Sequence, residues 1–202
     1  MPTTFDVSIY SAVHDLAAAP LAPLESWGAQ WLIFAVPIVL ICLWIRNDVS
    51  DRKAGIRACI SAAVALAVSG IVSFFVFEPR PFMIGLAGNV LDHASDSSFP
   101  SDHVAIMAAV AATLVLCARV RLAALTTAAT LLVAWSRVAI GIHFPIDILT
   151  GAGVGILAGA AVTVPSVDPF VEFVQRLAQA VSAALRIDRL SAALRRALVD
   201  KP

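Results

Sequence analysis

Five long apolar stretches constrain what this 202-residue chain can fold into. They are residues 29–45, 57–77, 103–120, 122–142 and 146–164. Each has roughly 17 to 21 residues, and at about 1.5 Å rise per residue a helix of that length crosses a hydrocarbon core of about 30 Å. One or two such stretches are also typical of buried helices in a soluble protein. Five in succession predict an all-α membrane protein, a bundle of five transmembrane helices with a sixth left open.

The composition supports the membrane assignment and limits the partners. Hydrophobic residues make up 60% of the chain, charged residues make up 14%, and the mean hydropathy is +0.90. A soluble domain of this length cannot bury that much apolar surface, so the expected partner is a lipid bilayer. The net charge of zero argues against nucleic acid. The three cysteines stand singly, without metal-ligand spacing, so neither a metal nor a cofactor is predicted, and a homo-oligomer is left open.

The basic residues predict the orientation in the membrane. With five spans, twelve of the fourteen Lys and Arg residues fall on one face, which the positive-inside rule assigns to the cytoplasm. Only Arg80 and Arg137 lie on the opposite, outer face, together with the N-terminus. A basic residue on the outer face runs against the positive-inside rule, so we expect each of these two arginines to have a function of its own.

The segments on either side of the spans differ in character. Residues 1–28 contain no Lys or Arg, which is unlike a secretory signal, and they predict an N-terminal interfacial segment with a disordered lead-in as the alternative. Residues 29–164 hold the spans. Residues 165–202 repeat apolar residues at helical spacing and predict a cytoplasmic amphipathic helical tail, broken near Arg186. A helix packed against the bundle, or a dimer contact, is the alternative for this tail.

Nearly all of the reactive side chains fall on the predicted outer face. They are Arg80 after the second span, Ser101 and His103 at the start of the third, Ser136 and Arg137 at the end of the fourth, and His143 and Asp147 at the start of the fifth. The third and fifth spans begin on this face, so their free N–H groups and positive dipole ends favour an anion such as phosphate. Each residue alone has an ordinary structural explanation, but their joint occurrence favours a site.

Two histidines and one carboxylate suit phosphoryl transfer. His143 and Asp147 are four residues apart, so on a helix Asp147 can accept a hydrogen bond from one ring nitrogen. The other nitrogen is then free to attack phosphorus. His103 is placed to protonate the leaving oxygen.

The remaining residues suit phosphate binding. Arg80 and Arg137 provide permanently charged, bidentate donors for the transition state. Ser101 is either a helix N-cap or a hydroxyl donor to phosphate. Ser136 is assigned to phosphate binding, with a hydrogen bond back to its own helix as the alternative.

These residues resemble the motifs of the type 2 phosphatidic acid phosphatase superfamily. Its third motif is matched by Ser136, Arg137, His143 and Asp147, its second by Pro100-Ser101-Asp102-His103 with Asp in place of Gly, and the end of its first by Arg80-Pro81. The resemblance spans about residues 57 to 164. It implies a phosphohistidine on His143 oriented by Asp147, a general acid at His103, and phosphate binding by Arg80, Ser101 and Arg137. It also implies catalysis without a metal.

The first motif departs from the family pattern. The family places Lys seven residues before its Arg, and that position is Ser73 here. One positive charge on the phosphate is therefore missing or is supplied elsewhere. His93 is the candidate for that charge, with an ordinary loop histidine as the alternative.

Within the superfamily the chain resembles the bacitracin-resistance type of undecaprenyl-diphosphatase, because of Pro79-Arg80-Pro81-Phe82 and the segment 96–103. That resemblance implies hydrolysis of a polyprenyl diphosphate on the outer face of a bacterial cytoplasmic membrane. Two alternatives within enzymes stay open: a phosphatase for phosphatidylglycerophosphate or phosphatidic acid, and a lipid phosphotransferase. The non-enzyme alternative is a lipid-binding or transport protein that retains the fold.

Overall fold

The computed structural model describes residues 3–16, 22–46 and 48–184. Within these ranges the regular structure is helical, without strands, and this confirms the predicted all-α class. The α-helices are α1 (Thr4–Leu16), α2 (Ala22–Trp31), α3 (Ala35–Ile45), α4 (Val49–Phe75), α5 (Asp102–Leu116), α6 (Val120–Ala139), α7 (Pro145–Thr163) and α8 (Asp168–Ala184). A 3₁₀ turn, Leu32–Phe34, joins α2 to α3, and two others are Pro81–Ile84 and Pro165–Val167.

Four helical segments of the described chain are long and apolar enough to cross a membrane. They are Glu25–Ile45, which runs through α2 and α3, and the helices α4, α6 and α7. These correspond to four of the five predicted spans. The first begins at Glu25, inside the predicted segment 1–28.

The third predicted span, residues 103–120, is a shorter helix than the sequence suggests. Helix α5 has 15 residues, or about 22 Å at about 1.5 Å per residue. It ends where Ala118 takes a positive φ of 57° in the turn to α6. Nine of its fifteen residues are buried, because α4, α6 and α7 all pack against it. Surrounded by protein rather than lipid, α5 does not need the length of a lipid-exposed span.

Helix α4 is longer than the predicted stretch 57–77 because its start is capped. Asp48 accepts hydrogen bonds from the backbone N–H groups of Ser50 and Asp51 at 2.9 and 3.0 Å. The capped start adds about two turns, which carry Asp51, Arg52 and Lys53. At 27 residues, or about 40 Å, α4 extends beyond a hydrocarbon core of about 30 Å into the polar headgroup region.

Among the described helices, α5 and α7 make the most extensive contact. Gly151, Gly155 and Gly159 recur every four residues along α7. A Cβ atom added to any of them would lie 2.3 to 2.9 Å from a backbone oxygen of residues 101–109. Small residues at this spacing let two membrane helices approach closely and pack backbone to backbone. The glycines therefore set the distance between the N-terminal ends of α5 and α7.

The two ends of the bundle carry different side chains. At the basic end, where α3 finishes and α4 begins, ion pairs link the helices: Arg46 with Asp51 at 2.8 Å, Arg119 with Asp51, Lys53 with Glu172 at 2.8 Å, and Arg57 with Asp168. The last two hold α8 against α4. At the polar end, α4 and α6 finish and α5 and α7 begin. The predicted site residues lie at this polar end.

Helix α8 has the amphipathic character predicted for the tail. Phe170, Phe173, Leu177 and Val181 form an exposed apolar stripe, and Val171 is buried. The rest of the predicted tail, including the break expected near Arg186, lies outside the described residues.

Candidate active site

A cavity of about 640 Å³ opens at the polar end of the bundle. Its polar wall consists of Ser73, Arg80, His93, Asp96, Ser97, Asp102, His103, Arg137 and His143. Its apolar wall comes from the first span, α4 and the residues just after it, and α5, with Ile33, Leu66, Gly70, Phe74, Phe77 and Ile106. A charged group and an apolar chain can therefore occupy the same cavity side by side.

His143 lies on the short loop between α6 and α7 and is only 2% exposed. The loop is tied to the last turn of α6, because the N–H groups of Ile142 and His143 both donate to the Arg137 carbonyl oxygen, at 3.0 and 3.2 Å. Gly141 makes the turn with φ of 75°, and a Cβ atom there would lie 2.2 Å from the Cβ of Ala87. The sequence therefore folds locally into a rigid loop that holds the imidazole in the cavity wall.

The two ring nitrogens of His143 face different neighbours. Nε2 lies 3.4 Å from Arg80 Nη1, which can only donate. Nδ1 lies 3.5 Å from Asp147 Oδ2. The predicted hydrogen bond from His143 to Asp147 is not formed among the described residues, since His143 Nδ1 has no hydrogen-bond partner there. Asp147 Oδ2 instead accepts from the Phe144 N–H at 2.8 Å. Asp147 thus orders the loop and still faces Nδ1.

Burial and charge keep the His143 ring neutral. Burial lowers the pKa of His143 well below its usual value, and the positive charges of Arg137 and Arg80 lower it further. At pH 7 the ring therefore has a free lone pair. An imidazole in this state can act as a nucleophile towards a bound phosphate.

Arg80 is the most extensively bonded residue of the cavity. It follows α4 and precedes the 3₁₀ turn Pro81–Ile84. Its Nε and Nη2 donate to Asp96 Oδ1 at 2.9 and 2.8 Å, Nη2 donates to the Ser97 carbonyl at 3.0 Å, and Nη1 donates to the Ile142 carbonyl at 3.2 Å. These bonds orient the guanidinium beside the loop that carries His143.

Asp96 was not assigned a role by the sequence. Its carboxylate holds Arg80 and is 62% exposed at the cavity mouth. The available signal was its place at the start of the polar segment 96–103, but nothing in the sequence pairs it with an arginine sixteen residues earlier. The contact depends on how the loop returns after α4.

Arg137 lies in the last turn of α6 and is 3% exposed. Its Nη1 donates to the Ala29 carbonyl at 3.0 Å, which fastens α6 to the first span. Its Nε is buried without a hydrogen-bond partner among the described residues. A buried guanidinium with donors to spare is well suited to an anion.

Ser101 precedes the first residue of α5 and is fully buried. It occupies the N-cap position, yet its hydroxyl makes no capping bond and has no partner among the described residues. Its backbone N–H donates to the Asp147 carbonyl at 3.1 Å, which joins α5 to α7. The capping alternative is therefore not observed. Ser101 is not among the residues that line the cavity, so phosphate binding by its hydroxyl stays a prediction.

The structure does not bring every predicted residue into the cavity. His103 lines it from the first turn of α5 and is half-buried. Ser136 does not line it; its hydroxyl instead faces Gly28, where an added Cβ would lie 2.7 Å from Oγ. Ser136 is therefore a packing residue between α6 and α2 in this structure.

His93 lines the cavity, as does Ser73. Its Nδ1 donates to the Ala94 carbonyl at 3.2 Å, and burial lowers the pKa of the ring. Because Nδ1 donates to Ala94, a neutral ring presents Nε2 only as an acceptor, so His93 can donate to a phosphate only when the ring is protonated. Its role as the substitute for the missing lysine charge stays a prediction. Ser73 donates to the Phe99 carbonyl at 2.9 Å and supports the loop that leads to α5. Among the described residues, no three His, Cys, Asp or Glu side chains are grouped as metal ligands.

Known proteins are similar to this chain in sequence. The model of the PAP2 superfamily matches residues 54–167. YbjG of Escherichia coli (strain K12), named as a candidate undecaprenyl-diphosphatase, is 31% identical over 159 residues, 78% of this chain and 80% of that protein. Undecaprenyl-diphosphatase BcrC of Bacillus subtilis (strain 168) is 28% identical over 177 residues, 86% of this chain and 91% of that protein.

A solved structure supports the same fold. LpxE of Aquifex aeolicus superposes with a TM-score of 0.66 at 22% identity, covering 79% of this chain and 95% of that one. The sequence match, the shared fold and the apolar helices all indicate the same family of membrane proteins. The chain belongs to the PAP2 superfamily and is a multi-pass membrane phosphatase.

Proposed function

We propose that this phosphatase hydrolyses undecaprenyl diphosphate to undecaprenyl phosphate through a phosphohistidine on His143, at the outer face of a bacterial cytoplasmic membrane. One observation carries the proposal: the buried, neutral His143 lies beside Arg80 in a cavity whose opposite wall is apolar. The relatives whose names specify undecaprenyl diphosphate support the choice of lipid.

The first chemical step makes a covalent intermediate. Nε2 of His143 attacks the terminal phosphorus, and the bond between that phosphorus and the bridging oxygen breaks. His103 donates a proton to the leaving oxygen, which departs as undecaprenyl phosphate. Arg80 and Arg137 stabilise the charge on the non-bridging oxygens, with Ser101 as a further donor.

The second step regenerates the enzyme. A water molecule gives its proton to His103, now a base, and attacks the phosphorus of the phosphohistidine. The P–N bond breaks, inorganic phosphate leaves, and His143 returns to its neutral form. An acceptor lipid in place of water would turn the same site into a phosphotransferase.

The distribution of charge supports the outer location. Arg46, Arg52, Lys53, Arg57 and Arg119 gather at the basic end. The positive-inside rule assigns that end to the cytoplasm and the polar end to the outside. Labelling single cysteines introduced at each end with a membrane-impermeant thiol reagent, in a background without the three native cysteines, tests this orientation. Exclusive labelling at the basic end in intact cells would contradict it.

The decisive assay is phosphate release by purified protein in detergent with EDTA. Undecaprenyl diphosphate, phosphatidylglycerophosphate and phosphatidic acid are compared, with His143→Ala as the control. We expect release from the polyprenyl diphosphate and none from the variant. Preference for a glycerolipid would contradict the substrate, near-normal turnover by His143→Ala would contradict the nucleophile, and silence on all three lipids would contradict hydrolysis.

His93 is tested in the same assay as the substitute for the missing lysine. If its protonated ring donates to the phosphate through Nε2, His93→Ala should weaken both turnover and inhibition by inorganic phosphate. An unchanged variant would leave His93 as an ordinary loop residue.

A further inference from the structure

Helix α1 lies across the polar end of the bundle and packs against α6 and α7. Three of its side chains, one per turn, reach the segment that carries His143. They are Asp6, Tyr10 and His14. None of them lines the cavity that holds the nucleophile, so their effect on it has to pass through the backbone that they contact.

Asp6 caps helix α7 from a different helix. It is 5% exposed, and its Oδ1 accepts from the Ile146 N–H at 3.1 Å. Pro145, the residue before, has no N–H, and the Phe144 N–H is already bound to Asp147. Asp6 therefore satisfies a free donor in the first turn of α7 and places a carboxylate at its positive dipole end.

Tyr10 and His14 hold the other side of the same loop. Tyr10 is 1% exposed, and its ring meets Phe144 edge to face with 5.5 Å between centroids. His14 stacks on Tyr10 at 5.4 Å, and its Nδ1 donates to the Ala139 carbonyl at 2.7 Å, at the last residue of α6. The loop is thus fastened at Ala139, before His143, and at Phe144 and Ile146, after it.

We propose that α1 is a brace that positions the nucleophile loop, with Asp6 as its main positioning residue. The inference rests on the proposed role of His143 as the nucleophile. Arg80, Arg137 and Ser101 bind phosphate from elements that Asp6 does not touch. The brace is therefore expected to govern the attack of His143 more than the affinity for phosphate, since a misplacement of about 1 Å lowers a rate by about a hundredfold.

The test compares three variants of the full-length protein in detergent. Asp6→Ala removes the acceptor, Asp6→Asn keeps an acceptor oxygen, and Asp15→Ala removes an exposed carboxylate from the same helix. We expect Asp6→Ala to lower kcat by roughly ten- to a hundredfold, with KM and the inhibition constant of inorganic phosphate within twofold of wild type. Asp6→Asn should recover most of the rate, and Asp15→Ala should match wild type.

A second variant covers the case in which Asp6→Ala does not fold. His14→Ala removes the contact at the other end of the loop from a half-buried position, and it should lower kcat several-fold at unchanged phosphate inhibition. A wild-type kcat in Asp6→Ala would overturn the brace. If Asp6→Ala does not fold, a wild-type kcat in His14→Ala would overturn it instead. Equal weakening of kcat and phosphate inhibition, without recovery in Asp6→Asn, would also overturn it by indicating general loss of structure.

The His143→Ala control separates this inference from the proposed function. If His143→Ala is inactive while Asp6→Ala is normal, only the brace is wrong. If His143→Ala keeps its turnover, the nucleophile is wrong and the brace is overturned with it.

Discussion

The contact between α5 and α7 gives a sharp test of how the fold positions the site. In Gly155→Ala, the new Cβ atom would lie 2.3 Å from the Ala105 carbonyl oxygen and 2.8 Å from the Ala109 nitrogen. Real Cβ atoms essentially never come within 3.0 Å of such atoms. Both neighbours are backbone, so no side chain can rotate away, and the helices have to separate by roughly 0.7 Å or more.

Two measurable effects follow from that separation. Overpacking of a well-packed core typically costs about 1 to 3 kcal/mol. The same movement shifts Ser101 and His103, at the start of α5, relative to His143 and Asp147, at the start of α7. Because catalytic groups are sensitive to displacements of about 1 Å, we expect kcat to fall by about ten- to a hundredfold.

Gly153→Ala is the matched control on the same helix. A Cβ atom at Gly153 has nothing within 4 Å, so replacing Gly by Ala there should be neutral or slightly stabilising, by up to about 1 kcal/mol. Thermal unfolding in detergent and kcat are measured for both variants. A Gly155→Ala protein as stable and as active as Gly153→Ala would refute the argument that backbone contact between α5 and α7 sets the geometry of the site.

Three further predictions concern single side chains. Ser101→Ala should lower kcat by about ten- to a thousandfold, the range for losing one donor to the transition state, with little change in thermal stability because the hydroxyl has no partner among the described residues. Gly70→Leu fills open space beside the apolar cavity wall. It should raise KM for undecaprenyl diphosphate and leave KM for a short, water-soluble diphosphate unchanged. Equal effects on both KM values would contradict binding of the lipid chain at this wall. Because burial lowers the pKa of His143, below about pH 6.5 the unfolded chain binds a proton that the folded one does not. The unfolding midpoint should therefore fall as the pH drops, less steeply in His143→Gln, and identical slopes would be the contrary result.

The membrane class and most of the site could be predicted from residue order. Apolar stretches of the right length predict spanning helices because the bilayer requires every backbone group to bond within its own helix. Arg80, His103, Arg137 and His143 stand beside span ends in the sequence, and the structure places all four in one cavity. Consecutive spans run in opposite directions, so the end of one span and the start of the next lie at the same face of the membrane. This grouping follows from connectivity alone.

Other features of the site could not be predicted, because they depend on contacts between residues that are far apart in the sequence. The Arg80–Asp96 pair and the turn of Ser136 away from the cavity are set by the loop path and by packing against Gly28. The length of α5 was misjudged because a helix enclosed by protein is released from the thickness of the bilayer.

The N-terminal helix α1 shows most clearly what the sequence determines and what only the tertiary structure decides. Its sequence predicted an interfacial segment and left a disordered lead-in open as the alternative. Only the tertiary structure decided that Asp6 meets the first turn of α7, 140 residues later. Amphipathicity specifies that a helix has an apolar face, but the partner of that face is chosen by shape and by the unsatisfied hydrogen-bond donors it finds there.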